Sequence, residues 1–185
     1  ATFAVDDSID PRSPIHELAR DMLPAAGGSV LDVGCGGGRS SIPLVPRASS
    51  IVAIDESPVM LARFAQAAEE VGVAHTEIQG RFPDVVRSAE MAGRPMQQRD
   101  VVVCHHVLFN VADLEPFIVS LTAMARLGVV VVIPQRHPLA GVERPTLEQL
   151  AAEPLVTQRL LVDLGDQRTG GIEIEEVART RIRRQ

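Results

Sequence analysis

The chain of 185 residues contains no lysine, no tryptophan and no tyrosine, and its aromatic residues are limited to five phenylalanines. The missing lysine excludes the phosphate-loop signature, which ends in Gly-Lys followed by Ser or Thr. A formal net charge of −6 and the shortage of stacking side chains argue against a nucleic-acid surface, which needs a basic footprint and aromatic platforms. We therefore expect no nucleic-acid partner.

Long apolar runs, a basic N-terminal region and cysteine pairs are also missing. The longest apolar run, Val129 to Ile133, suits a strand and is far shorter than the ~20 residues that a membrane helix needs. Residues 1–10 carry acids and no basic residue, so they do not resemble a signal peptide. Cys35 and Cys104 lack Cys-x-x-Cys spacing. We expect a cytoplasmic protein with free thiols, no membrane contact and no metal.

The pattern of apolar segments predicts the fold class. Apolar runs alternate with amphipathic stretches, which is typical of a parallel sheet covered by helices. We predict strands at 29–33, 51–55, 74–78, 100–104 and 128–133. We predict helices at 14–22, at 58–72 with Ser57 as its cap and its end at Gly72, at 83–91, and after Asp113, which should cap it. Strands at 155–164 and 171–183 would complete the sheet, although a terminal helix from Glu173 is an alternative. The expected fold is α/β: a Rossmann-like, doubly wound, mostly parallel seven-stranded sheet with helices on both faces.

The most informative stretch is Val30-Leu31-Asp32-Val33, followed by glycines spaced Gly-x-Gly-x-Gly at positions 34, 36 and 38. A buried strand that stops at a bare backbone turn suits the close approach of a ligand. A dinucleotide fingerprint would need its third glycine at position 39, where the chain has Arg39. Asp55 ends the next apolar run, where a carboxylate can accept hydrogen bonds from both ribose hydroxyls. A glycine-rich connector beside an ordinary surface acid is the alternative.

These residues resemble the cofactor-binding half of class I S-adenosylmethionine (SAM)-dependent methyltransferases. The likeness extends from Ser29 to Ile133, and the stretch His105–Val111 is similar to a small group of bacterial methyltransferases from high-GC genomes. The resemblance implies one methyltransferase domain over 1–185, with an N-terminal helical segment at 1–28, a cofactor-binding core at 29–133 and a substrate-side portion at 134–185. It also implies transfer of a methyl group from SAM to a small-molecule acceptor, leaving S-adenosylhomocysteine (SAH).

The resemblance also implies which residues surround the cofactor. Asp32 would serve its amino-acid end, Asp55 its ribose, and Glu56 and Met60 its adenine. Many members carry an acid after strand three, where this chain has Arg81; that arginine either contacts cofactor or substrate or is an ordinary surface residue. The cofactor-binding residues implied in full are Asp32, Gly34, Cys35, Gly36, Gly38, Asp55, Glu56, Met60, Gly80, Arg81 and Cys104.

His105 and His106 directly follow the fourth predicted strand and are the candidate catalytic residues. A histidine at this place can act as a base toward a hydroxyl, thiol or protonated amine. The alternative is that one packs in the core and the other bonds to the backbone, and His16 and His137 are weaker candidates. Residues 104–107 lack the Asp/Asn-Pro-Pro-Tyr/Phe tetrad of many amino-group and nucleic-acid methyltransferases, which argues against a nucleobase acceptor.

Two other functions compete with methyl transfer. A non-catalytic module could retain the fold for SAM or nucleoside binding or for interaction with a partner. A nicotinamide-dependent oxidoreductase would need a glycine at position 39 and a catalytic Tyr or Lys, and the chain has none of these. Exposed edge strands near the C-terminus could pair two copies, so a homodimer is a further hypothesis.

Overall fold

The computed structural model describes residues 14–131 and 160–163, in which strands and helices alternate. The helices are α1 (Pro14–Met22), α2 (Pro58–Val71), α3 (Asp84–Met91) and α4 (Leu114–Ala123). The strands are β1 (Gly28–Val33), β2 (Ala48–Asp55), β3 (Ala74–Gln79), β4 (Arg99–Cys104), β5 (Ala125–Val131) and β6 (Leu160–Asp163). Single 3-10 turns form at Ile42–Leu44 and Leu108–Asn110.

The six strands form one sheet in the order β3-β2-β1-β4-β5-β6. The first five run parallel, and β6 pairs antiparallel with β5. The strand order reverses between β1 and β4, and in such sheets ligands usually bind at the carboxyl ends of the strands that border this reversal. The α/β Rossmann-like fold with a parallel sheet is confirmed. The described residues contain six of the seven predicted strands, and the segment 171–183 lies outside them.

Helices cover both faces of the sheet. Ile15 and Ala19 of α1 and Phe64 of α2 pack with alternate residues of the central strands on one face. Phe117 and Leu121 of α4 pack on the other face. The central strand β4 is buried on both sides because Val101, Val102, Val103 and Cys104 are all fully buried, as its run of valines predicts. This rigid centre fixes where β1 and β4 end.

The helix ends agree in part with the predicted signals. The Ser57 hydroxyl accepts a hydrogen bond from the Met60 N–H at 3.4 Å, and Gly72 ends α2 in the left-handed conformation, as predicted. Asp113 occupies the N-cap position of α4 but makes no side-chain capping bond, so the prediction that it caps the helix is wrong in that respect. Strand β5 begins at Ala125, three residues before its predicted start, because α4 leads directly into it.

Two absences bear on the class of protein. No helix in the described residues is both long and apolar enough to cross a membrane. Within 14–131 and 160–163, no three His, Cys, Asp or Glu side chains are grouped so that they could hold a metal ion.

Candidate functional site

The carboxylate of Asp55 joins the end of β2 to the glycine turn. One oxygen, Oδ2, accepts the Gly36 N–H at 2.9 Å, and the other, Oδ1, accepts the Ser57 N–H at 2.9 Å. Each carboxylate oxygen can accept a second hydrogen bond. Asp55 is half-buried, so the remaining lone pairs can be reached by a ligand at this edge of the sheet.

The glycine turn follows β1 and is held to β2 by its own backbone. The N–H groups of Gly34 and Cys35 both donate to the Ile54 carbonyl, at 2.8 and 3.1 Å. Gly34, Gly36 and Gly38 all have positive φ, at 70°, 52° and 89°, in the region where side chains are disfavoured. The turn therefore requires glycine for its backbone conformation, independently of any ligand.

Two of the three glycines also leave room for protein side chains. A Cβ at Gly34 would lie 2.2 Å from the Val107 Cγ2, and a Cβ at Gly38 would lie 2.5 Å from the Ile42 Cγ1. Gly38 is buried, whereas Gly34 and Gly36 remain partly accessible. The ligand-facing part of the turn thus lies at Gly34 and Gly36, and the absent side chain of Gly38 serves core packing.

Asp32 is a fully buried acid beneath this turn. Its Oδ2 accepts the Ser41 hydroxyl at 2.6 Å, while its Oδ1 has no hydrogen-bond partner within the described residues. Burial raises the pKa of Asp32 to about 7; the Ser41 hydrogen bond opposes this and the nearby Asp55 charge adds to it. A buried acid with one unsatisfied oxygen suits a cationic or hydrogen-bond-donating ligand group.

The ends of β2 and β3 carry Glu56 and Met60, which the resemblance assigns to the adenine, and two further residues that it assigns to the cofactor site, Gly80 and Arg81. Glu56 and Arg81 form an exposed ion pair at 3.8 Å, and Met60 is half-buried in the first turn of α2. The Gly80 N–H donates to the Asp55 carbonyl at 2.9 Å. Five residues therefore lie at one corner of the sheet: Asp55, Glu56, Met60, Gly80 and Arg81. The Arg81 side chain is exposed there.

Cys35 and Cys104 point away from solvent. Both thiols are free and buried, and burial raises the pKa of each above its ordinary value. Cys35 packs with the α1 and α2 side of the core, and Cys104 with the α4 side. Only their backbone can contribute to a ligand site.

The two histidines after β4 have different surroundings. The His105 ring is half-buried and lies 6.3 Å, centroid to centroid, from the ring of His16 on α1. His106 is exposed and has a φ of 59°, a strained conformation for a residue with a side chain, which is often found at functional sites. Although His106 is largely exposed, the partial desolvation of its ring and then the charge of Arg39 lower the pKa of His106. His106 therefore presents a largely neutral ring at the carboxyl end of β4.

Three residues of this region make contacts that their local sequence does not predict. Ser41 bonds to Asp32, Val107 fills the space beside Gly34, and His16 reaches the glycine segment from α1. The sequence makes His16 only a weak candidate. No local pattern marks the other two, because Ser41 is one of two adjacent serines and Val107 one apolar residue among several.

Comparison with known families shows to which family the chain belongs. A family model described as "Methyltransferase domain" matches residues 31–133, more than half of the chain. The chain belongs to this methyltransferase-domain family. The match begins within β1 and includes the glycine turn, β2 and β4, so most of the elements that position the site belong to the part that the family shares.

Curated relatives of the methyltransferase domain include two ubiquinone biosynthesis O-methyltransferases. The protein from Methylobacterium sp. (strain 4-46) is 36% identical over 113 residues, covering 59% of this chain and 42% of the relative. The protein from Pseudomonas paraeruginosa is 38% identical over 109 residues, covering 54% of this chain and 44% of the relative. The chain thus spans less than half the length of these two relatives.

Solved structures share the fold of the methyltransferase domain. The magnesium protoporphyrin IX methyltransferase of Synechocystis PCC 6803 with bound SAM has a TM-score of 0.51 at 24% identity, covering 68% of this chain and 58% of that one. The O-methyltransferase of Bacillus cereus in complex with SAH has a TM-score of 0.54 at 16% identity, covering 69% and 59%. At these identities the likeness concerns the fold alone.

Proposed function

We propose that this methyltransferase domain binds SAM at the carboxyl edge of β1, β2 and β4 and transfers its methyl group to a small-molecule acceptor. The Asp55 carboxylate carries the proposal, since it lies against the Gly36 and Ser57 N–H groups with lone pairs left for two hydroxyls. A ribose supplies such a hydroxyl pair. The family match favours methyl transfer over nicotinamide-dependent oxidation.

The fit of the cofactor's other end rests on Asp32. Its unsatisfied, buried Oδ1 suits the ammonium group of the methionine portion, directly or through one water. An approaching positive charge favours the ionised form of a carboxyl, which offsets the burial that raises its pKa. In this proposal the backbone groups near Cys104 and His105 line the methionine side of the cofactor.

His106 is the proposed base. SAM supplies an electrophilic methyl group on a sulfonium, so the chain has only to align the acceptor and, where necessary, remove its proton. The ring of His106 is exposed at the end of β4, and its lowered pKa leaves a nitrogen lone pair at neutral pH. His105 packs toward His16 and lines the site instead.

The binding half of the proposal is tested by calorimetry with SAH. Asp55→Ala is expected to weaken binding at least tenfold, because a charged acceptor for the ribose hydroxyls is lost. Asp84→Ala is the matched control, since Asp84 is an exposed acid that pairs with Arg87 at 3.5 Å, and this variant should keep the wild-type affinity. A folded wild-type protein that binds neither SAM nor SAH would refute the proposal.

The catalytic half is tested by transfer of labelled methyl from SAM to a panel of phenols, carboxylates and amines. His106→Gln is expected to keep SAH affinity and lower turnover for hydroxyl acceptors about a hundredfold, the usual contribution of a positioned base. Tight SAH binding without turnover across the panel would instead favour the non-catalytic binding module.

Several expectations remain predictions within this proposal. They are the single domain over 1–185, a seventh strand, a cytoplasmic location, a metal-free reaction and a homodimer. The assignment of Glu56 and Met60 to the adenine, and of Gly80 and Arg81 to the cofactor site, also remains a prediction.

A further inference from the structure

We infer that helix α1 helps to form the cofactor site, because His16 and Arg20 hold in place the segment 39–43, which follows the glycine turn. We call these two contacts the clamp. This inference rests on the proposed function for its ligand. It makes His16 and Arg20 positioning residues, which act on the ligand through the backbone of that segment and through Asp32.

His16 makes the first contact of this clamp. Its side chain is only 5% exposed, and its Nε2 lies 3.1 Å from the Arg39 carbonyl oxygen. A carbonyl can only accept, so His16 must carry its proton on Nε2. Arg39 immediately follows Gly38, and this bond therefore anchors the exit of the turn to α1.

Arg20, one helical turn further along α1, makes the second contact. Its Nε donates to the Pro43 carbonyl at 2.9 Å. His16 and Arg20 are four residues apart and lie on the same side of the helix, so they hold the two ends of one short segment. The two contacts therefore hold the segment to α1 at both of its ends.

The clamped segment carries the hydroxyl that orients Asp32. Ser41 lies between the two anchored carbonyls, and its Oγ donates to the Asp32 Oδ2 at 2.6 Å. The Ser41 and Ile42 N–H groups both donate to the Gly38 carbonyl, at 3.2 and 2.9 Å. The backbone of residues 38–43 and the hydrogen bonds at its two ends therefore connect α1 to the buried acid.

His16 also reaches the other side of the crevice. Its ring is 6.3 Å from that of His105, at the end of β4, so one buried side chain lies beside both strands that border the switch in strand order. His16 thus contributes a hydrogen-bond donor and an aromatic ring, and a substitution can remove either one while keeping the other.

The test compares His16→Phe, which keeps a ring and loses the donor, with His16→Gln, which keeps a donor and loses the ring. His16→Phe is expected to weaken SAH binding about tenfold, the loss of one buried hydrogen bond. It is also expected to speed amide hydrogen exchange at Ser41 and Ile42 in the ligand-free protein. His16→Gln is expected to restore most of the affinity and the protection.

Leu23→Ala is the control for stability alone, because Leu23 is a buried residue of the same region, 3% exposed, whose side chain cannot hydrogen-bond to the segment. It is expected to lower the melting temperature and leave SAH affinity and the exchange at Ser41 unchanged. Arg20→Met tests the same clamp if His16→Phe does not fold.

Unchanged exchange in His16→Phe, or an equal loss of affinity in Leu23→Ala, would overturn the inference. If the wild-type protein binds no SAH, the proposed function fails, and the exchange at Ser41 and Ile42 still decides whether the clamp exists.

Discussion

Asp32 is an acid whose surroundings oppose its charge. It is fully buried, and burial raises its pKa to about 7, with the Ser41 hydrogen bond in opposition and the Asp55 charge in support. The folded chain therefore holds a proton on Asp32 at a pH at which the unfolded chain, where an aspartate has its ordinary pKa of 3.8, has lost it. Stability must fall as the pH rises through this interval.

Asp32→Asn removes this pH dependence, because the amide keeps an oxygen for the Ser41 hydroxyl and has no charge. Wild type loses stability between about pH 4 and pH 7. The free energy of unfolding of the variant minus that of wild type should therefore increase by about 3–4 kcal/mol over that range. Urea unfolding at pH 4, 6 and 8 measures the difference.

Asp84→Asn is the control for Asp32→Asn, because Asp84 is exposed and its replacement should change the free energy of unfolding only slightly. A gap between Asp32→Asn and wild type that stays constant from pH 4 to pH 8 would show that Asp32 is ionised in the fold.

The same proton has a consequence for binding. An ammonium group that binds beside Asp32 favours its ionised form, so SAH binding near pH 7 should release part of a proton. Calorimetry of the binding reaction in buffers with different ionisation enthalpies detects that release.

In the glycine turn, glycine is required both by the backbone conformation and by the packing of neighbouring side chains. Gly34 and Gly72 both have a φ of 70°, but a Cβ at Gly34 would lie 2.2 Å from Val107, whereas a Cβ at Gly72 would meet nothing within 4 Å. The pair therefore separates the cost of the left-handed backbone from the cost of overpacking.

Gly72→Ala is expected to lower the free energy of unfolding by about 1–2 kcal/mol, the backbone cost alone. Gly34→Ala is expected to lose a further 1–3 kcal/mol, roughly, from the contact with Val107. Adding Val107→Ala to Gly34→Ala should recover most of that second part, as a double-mutant cycle by urea unfolding would show. Additive effects of the two substitutions would mean that Val107 moves aside freely.

Elements with a local signal could be predicted from the sequence. The valine run of β4, the Ser57 cap, the Gly72 end of α2 and the alternation of strands and helices each depend on neighbours in the chain, and the structure has them all. Asp113 shows the limit of such signals, since it stands at the N-cap and does not bond there.

Contacts between distant segments could not be predicted. His16 meets Arg39 across 23 positions, and Val107 meets Gly34 across more than seventy, so each contact depends on how α1 and β4 pack on the sheet. The spacing of the glycines therefore indicates a ligand turn, and only the fold shows that Gly38 serves the core.

For the molecule as a whole, the acids at the two ends of the parallel strands differ in how far their hydrogen-bonding capacity is used. We call these ends the carboxyl edge and the amino edge of the sheet. The carboxyl edge has acids with open acceptor sites, at Asp32 and Asp55. The amino edge has a closed cluster in which Asp100 Oδ2 accepts the Ser29 N–H at 2.7 Å and the Ser29 hydroxyl at 2.8 Å, while Arg126 bonds to Asp100 Oδ1 at 3.0 Å. This cluster ties β1, β4 and β5 together at the edge away from the ligand.

Asp100→Asn therefore tests whether stability and ligand binding belong to different edges. Burial alone would raise the pKa of Asp100, but the Ser29 hydrogen bonds and the Arg126 charge outweigh it and lower the pKa. The carboxylate thus stabilises the fold above about pH 4, and that contribution is lost as the pH falls through the lowered pKa. At pH 7 the variant is expected to lose about 1–3 kcal/mol of unfolding free energy, with the gap closing below about pH 4.

SAH affinity should remain at the wild-type value in Asp100→Asn, since no ligand group approaches the amino edge in the proposed site. Urea unfolding over the pH range and calorimetry at pH 7 give the two readouts on one protein sample. A folded Asp100→Asn protein with strongly weakened SAH binding would mean that the pairing of β1 with β4 transmits changes along its length. The proposed division between a stabilising edge and a binding edge would then fail.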